Sequence, residues 1–193
     1  MDIVLATSNK GKVRELQKIL KNHTVYTMGE AGFSEEIEEN GSSFEENAMI
    51  KAEAVCKALG KVAVADDSGL EVYALDMRPG IYSARYAGEG AGDEERNRKL
   101  LSELAETEDR RARFVSAAAI CTPEGEKYVC RGEVYGNINY APKGENGFGY
   151  DPLFVPDGFE KTMSEISNDE KNEISHRARA FEKLKEYIEK MGM

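Results

Sequence analysis

One stretch restricts the possible folds more than any other: Val62-Ala63-Val64-Ala65-Asp66-Asp67-Ser68-Gly69-Leu70-Glu71-Val72-Tyr73-Ala74-Leu75. Its apolar residues occupy both faces of an extended chain, the pattern of a central sheet strand covered on both sides. Two adjacent carboxylates interrupt it. Burying them without partners would cost several kcal/mol, on the order set by desolvation of charge. A solvated turn at Asp66-Asp67-Ser68-Gly69 is the plain reading of those residues. A strand that resumes at Leu70-Glu71-Val72 leaves the acids inside the element, where something must neutralise them.

The flanking sequence supplies the rest of an α/β pattern. Asp2-Ile3-Val4-Leu5-Ala6 reads as a short buried strand, and Thr7-Ser8-Asn9-Lys10-Gly11-Lys12 as the polar turn after it. Val13, Leu16, Gln17 and Leu20 then recur at helical spacing. A short strand at Thr24–Thr27 precedes an acidic segment from Gly29 to Asn47, in which Ser43-Phe44-Glu45-Glu46 resembles a capping box. On the helix it opens, Phe44, Ala48, Val55 and Leu59 fall in a stripe about 60° wide, and Lys51 lies roughly 20° outside it. Lys51 either snorkels to water or aims a cation into a cleft.

Asp93 to Leu104 forms an exposed helix with Leu100, Leu101 and Leu104 as its apolar side. Ala112–Cys121, the turn Thr122-Pro123-Glu124-Gly125-Glu126, and Lys127–Val134 make an antiparallel hairpin. The last helix runs through Ile174, Ala178, Phe181, Leu184 and Ile188. Together these segments give an α/β fold with a mixed sheet.

Several classes are excluded. No apolar run approaches the roughly 18 residues of a membrane span, and no export signal is read at the N-terminus, so the cytoplasm is expected. A formal charge of −10 argues against broad nucleic-acid binding, so an anionic ligand needs a local basic cluster or a metal. Cys56, Cys121 and Cys130 suit reduced thiols, a disulfide being plausible only if Cys121 and Cys130 face each other across the hairpin. Two histidines, His23 and His176, leave little material for a Ser-His-Asp triad or a histidine zinc site. Asn9-Lys10-Gly11-Lys12-Val13 lacks the spacing of a Walker motif. It still offers backbone N–H groups and Lys12 to an anion. Glu39, Asp66 and Asp67 are the carboxylates placed to receive a hard cation such as Mg2+.

Separated segments also agree with one known pattern. Thr7-Ser8-Asn9-Lys10-Gly11-Lys12, Phe44–Ala52, Ala65-Asp66-Asp67-Ser68-Gly69-Leu70, Pro79–Tyr86, Gly147-Phe148-Gly149-Tyr150-Asp151-Pro152 and Ile174-Ser175-His176-Arg177 together resemble the inosine triphosphate pyrophosphatase (ITPase) family, in its order and over nearly the whole chain. Ser8 stands where that family usually has glycine.

The resemblance implies an elongated mixed β-sheet flanked by helices, a single domain over residues 1–193 with two lobes, a nucleotide cleft between them, and a homodimer. It implies Mg2+-dependent hydrolysis of ITP, dITP and XTP to the monophosphate and pyrophosphate by water attack on the α-phosphate, cleansing the nucleotide pool. Thr7, Ser8, Asn9, Lys10, Gly11, Lys12, Lys51 and Ser68 would then hold the triphosphate. Glu39, Asp66 and Asp67 would hold the metal, with Asp67 the general base. Phe148, Gly149, Tyr150, Asp151, Lys171, His176 and Arg177 would take the base, a donor such as Arg177 selecting the 6-keto group. Neither a membrane nor a nucleic acid is expected as partner. A less selective triphosphate pyrophosphatase and a non-catalytic nucleotide sensor are the competing readings.

Overall fold

The computed structural model describes residues 1–192. Among them the order is β1 (Asp2–Leu5), α1 (Lys10–Ile19), β2 (Thr24–Thr27), α2 (Phe44–Leu59), β3 (Ala63–Val72), α3 (Asp93–Glu103), β4 (Arg111–Cys121), β5 (Lys127–Ile138), β6 (Phe154–Pro156), α4 (Asn168–Ile174) and α5 (His176–Lys190). Short 3-10 turns at Tyr73–Leu75 and Gly80–Arg85 separate β3 from α3.

The described strands form one six-stranded sheet in the order β2-β1-β3-β4-β5-β6. β1 pairs in parallel with both β2 and β3, whereas β5 and β6 are antiparallel, so the sheet is mixed. No helix among the described residues is long and apolar enough to cross a membrane.

The chain divides into two compact units, and β3, β4 and β5 each run from one into the other. The first comprises residues 1–67, 116–132 and 177 onward. Its core joins Ile3 and Leu5 of β1, Leu16 and Leu20 at α1, Val64 of β3, Ala118 and Ile120 of β4, and Phe181, Leu184 and Ile188 of α5. All are fully or nearly fully buried, each large side chain contributing about 1.5–3 kcal/mol. The second unit comprises residues 68–115 and 133–176. Leu70, Val72, Leu100, Leu104, Phe114, Val134, Ile138, Leu153 and Phe154 form its core.

Several details differ from the sequence expectation. α1 begins at Lys10, three residues into the expected turn, because the Asn9 side chain caps it by accepting from the Gly11 and Lys12 amides. Ser43 caps α2 through the Glu46 amide, but Glu46 returns its carboxylate to Ser42, giving half of the expected box. β5 continues four residues past Val134, to Ile138. The last helix is two: Ser175 is extended, at φ −65 and ψ 155, so Ile174 ends α4 and His176 starts α5. The one-face apolar stripe carries across this break, which is why periodicity alone missed it.

All three cysteines are free. Cys130 directs its thiol to the carbonyls of Ala118 and Ala180, not to Cys121. Cys56 of α2 and Cys121 instead line one pocket of about 470 Å3, and burial first, then Cys121, pushes Cys56 up to about 12.

Candidate active site

The twin aspartates lie within an unbroken strand. Successive side chains of a strand point to opposite faces, and the partners of Asp66 and Asp67 follow that alternation. Asp66 shares its face with Val64, the face packed by α1 and α5. There its Oδ2 lies 3.0 Å from Lys12 Nζ of α1 and 3.2 Å from Arg177 Nε of α5. Asp67 turns the other way, toward α2, where its Oδ2 accepts from Asn47 Nδ2 at 3.2 Å and its Oδ1 lies 3.8 Å from Lys51 Nζ. Each acid therefore meets a lysine from a different helix, which answers how a buried strand carries two of them.

The ammonium of Lys51 does not run out to water. Lys51 is 9% exposed, and its Nζ donates to Glu39 Oε2 at 2.9 Å as well as facing Asp67. Burial pushes its pKa down, but Asp67, Asp66 and Glu39 outweigh this and the net direction is up. Lys12 goes the other way: burial dominates and holds it below the ordinary lysine value, with Asp66 only partly opposing. Asp67 is held above the usual aspartate range, chiefly by burial, against the pull of Lys51 and Lys12.

Arg177 is buried, and Glu15 of α1 engages its Nη1 while Asp66 engages its Nε. Two of its guanidinium nitrogens are thus on carboxylates, which places Arg177 with the acids of the first unit. Glu15 was absent from the residues singled out in the sequence. Its only signal was one helical turn of separation from Lys12.

The Thr7–Lys12 segment also differs from a ready anion cradle. The Gly11 and Lys12 amides donate to Asn9 Oδ1 at 2.9 and 3.2 Å, and the Asn9 amide donates to Thr7 Oγ1 at 3.2 Å. Ser8 and Lys10 are exposed, and Ser68 is half-buried on β3.

Among the described residues no group of three or more His, Cys, Asp or Glu stands ready-made for a metal ion. Glu39 and Asp67 instead converge on one positive point, the Lys51 ammonium. Two carboxylates aimed at a single charge fit a hard cation that completes its shell with phosphate oxygens and water.

In the second unit, the expected base-binding residues gather around the turn Gly147–Asp151. Asp151 Oδ2 accepts from the Phe148 amide at 2.9 Å and from Lys171 Nζ at 2.6 Å. The same ammonium lies 4.6 Å from the centre of the Phe148 ring. Gly147 has φ +77, and a Cβ there would come within 2.2 Å of the Asp151 carboxylate, so only glycine lets the turn close. His176 is buried and stacked on Phe114, centroids 4.7 Å apart. Tyr150 is a core side chain whose hydroxyl donates to the Ser83 carbonyl at 2.7 Å. Thus Phe148, Asp151 and Lys171 touch one another, while Tyr150 and His176 are occupied by their own packing.

These features define a mixed α/β protein whose central strand delivers two lysine-matched aspartates on opposite faces. The sequence model of the Ham1 family matches residues 3–187, and the chain belongs to that family, in agreement with the resemblance read from its motifs. It is 50% identical over 192 residues to the dITP/XTP pyrophosphatase of Bacillus subtilis, covering 97% of each chain. It is 49% identical over 188 residues to the protein of the same name from Staphylococcus epidermidis, covering 97% of this chain and 96% of that one. The solved Ham1 protein of Staphylococcus aureus superposes with a TM-score of 0.90 at 46% identity, covering 99% of this chain and all of that one. The HAM1 protein of Coxiella burnetii gives the same TM-score at 40% identity, covering 98% and 99%.

Proposed function

We propose that this protein hydrolyses deaminated purine nucleoside triphosphates, ITP, dITP and XTP, to the monophosphate and pyrophosphate. The relatives' common name, at about half identity over nearly full length, supports the substrate class. The observation that carries the chemistry is Lys51, a buried ammonium set between Glu39 and Asp67.

Lys12 and Lys51 supply the positive charge that a chain of net charge −10 needs in order to hold a polyphosphate. Asn9 fixes the start of α1, and with it Lys12, while Thr7, Ser8, Lys10, Gly11 and Ser68 complete the set assigned to the triphosphate. Arrival of phosphate oxygens gives the lysines new partners and releases the carboxylates. Asp67, whose proton affinity is raised by burial, then orients the attacking water and takes its proton.

Glu39 and Asp67, which meet at the Lys51 ammonium, would hold Mg2+, and the ion would neutralise charge on the phosphates. Arg177 and Lys12 hold Asp66 in place on its own face of the strand.

For the base, Phe148 provides a stacking face. Lys171 provides the donor that a 6-keto group accepts from, and a 6-amino group would leave that ammonium facing another donor. Lys171, although paired with Asp151, lies against the Phe148 face and so joins Arg177 as an O6 donor. Asp151, Gly149 and Tyr150 shape the turn, and His176 stacks on Phe114 at the start of α5.

We take the chain as one domain of two lobes, working in the cytoplasm as a homodimer without nucleic acid or membrane. The exposed Tyr82, Tyr135, Tyr140 and Phe159 are apolar surface that a second subunit could cover.

Steady-state rates for ITP, XTP, GTP and ATP with Mg2+ test the reading. It expects kcat/KM for ITP and XTP to exceed that for ATP by about 10²-fold or more, the scale of discrimination at a polar contact. Comparable values for ATP and ITP would point to a less selective pyrophosphatase, and tight binding of ITP without turnover to a sensor.

A further inference from the structure

The turn that carries Phe148 is held from outside by α3, a helix that the sequence presents only as an exposed element with a leucine face. Asp93 and Asn97 lie one turn apart on α3, so their side chains share a face. Both end on the same residue. Asp93 Oδ2 accepts from the Gly149 amide at 2.8 Å, and Asn97 Nδ2 donates to the Gly149 carbonyl at 3.0 Å.

Gly149 thus has both of its peptide groups gripped by one helix. Its φ of +63 is a conformation that other residues adopt only with strain. Immediately before it, the Phe148 amide is fixed by Asp151, which Lys171 holds in turn.

Asn97 is 6% exposed, and its Oδ1 makes no hydrogen bond among the described residues. A buried amide that satisfies only one of its ends is costly to a fold. The donor end explains its presence. Asp93 is better supported, since its Oδ1 is paired with Arg96 on the same helix.

We propose that Asp93 and Asn97 are positioning residues for base recognition: they set the height and tilt of the Gly147–Asp151 turn, and through it the Phe148 face. This rests on the assignment of Phe148, Asp151 and Lys171 to the purine. A stacking face displaced by about 1 Å loses its geometry against a bound ring. The clamp therefore acts on which base is accepted and how tightly, and leaves the phosphate chemistry to other residues.

The test combines hydrogen exchange with kinetics on Asn97→Ala, Asn97→Asp, Asp93→Ala and Asp93→Asn. Asn97→Asp keeps size but removes the donor, and Asp93→Asn keeps an acceptor for the Gly149 amide. In the absence of substrate, Asn97→Ala, Asn97→Asp and Asp93→Ala are expected to speed exchange of the Gly149 and Phe148 amides at least tenfold. KM for ITP should rise about tenfold with kcat changed less than threefold, and the ITP-to-ATP ratio of kcat/KM should fall. Asp93→Asn should stay near wild type in all three.

Unchanged exchange in the Asn97 variants would remove the clamp. Faster exchange with unchanged KM and unchanged ITP-to-ATP ratio would make it a structural tie only, and overturn the proposal. Faster exchange in a protein whose wild type discriminates no bases would instead break the assignment of the turn to the purine, a failure visible in the wild-type panel alone.

Discussion

The Nζ of Lys51 lies 2.9 Å from Glu39 Oε2, so a lysine on the inward side of α2 closes a loop that the acidic segment would otherwise leave open. Lys51→Met keeps the stem and removes the charge. Glu39 is 38% exposed at its side chain, so the lost stability is nearer the ~1 kcal/mol of an exposed ion pair than the ~3–5 kcal/mol of a fully buried one. KM for ITP should rise by more than about tenfold, the loss of a charge-assisted phosphate contact. Unfolding of the variant, or an unaltered KM, would reject the phosphate role.

Asp67→Asn separates catalysis from binding. As general base, Asp67 should cost kcat about 10²-fold or more when neutralised, with KM for ITP moving only a few-fold. The same change should not lower the melting temperature. The folded state raises the Asp67 pKa, chiefly by burial, so its ionised form is less favourable folded than unfolded. Equal losses in kcat/KM and in affinity would make it a binding group.

Arg177→Met should be the most damaging of these substitutions to the fold. It removes the guanidinium that links the Glu15 and Asp66 carboxylates and leaves Asp66 to Lys12, at a cost of about 3–5 kcal/mol measurable by urea titration. A midpoint within error of wild type would mean that the three groups do not act as a network.

Cys56 offers a pH test away from the site. Its thiol is pushed from the ordinary value of 9 to about 12, by burial and then by Cys121. A raised folded pKa adds stability that is complete below the unfolded value and is lost as pH climbs from about 9 toward 12. Iodoacetamide at pH 8 should therefore leave Cys56 unmodified in the native protein and label it after denaturation. Prompt native labelling at Cys56, read by mass spectrometry, would contradict its burial.

Sequence patterning reached the framework because burial leaves a signature in residue type. β3 is apolar on both faces, and that alone implied partners for Asp66 and Asp67. The near-stripe angle of Lys51 marked it as a lysine with a buried stem, although geometry had to show where its head points. Other features have no local signature. Ser175 splits the last helix by its backbone angles, yet any good helix former could flank it. Glu15, Asp93 and Asn97 sit on helices that look like solvated surfaces, and each acquires its partner only through residues distant in the chain. Arg177 shows the same limit: its place next to His176 in sequence does not reveal that its guanidinium meets Glu15 and Asp66.

The central claim is that the Asp67 and Lys51 cluster directs water to the α-phosphorus. Hydrolysis of ITP in oxygen-18 water, with the products resolved by mass spectrometry, measures this directly. The account predicts pyrophosphate as the second product, with the heavy oxygen in the inosine monophosphate. Heavy oxygen in the pyrophosphate, or release of orthophosphate, would contradict it.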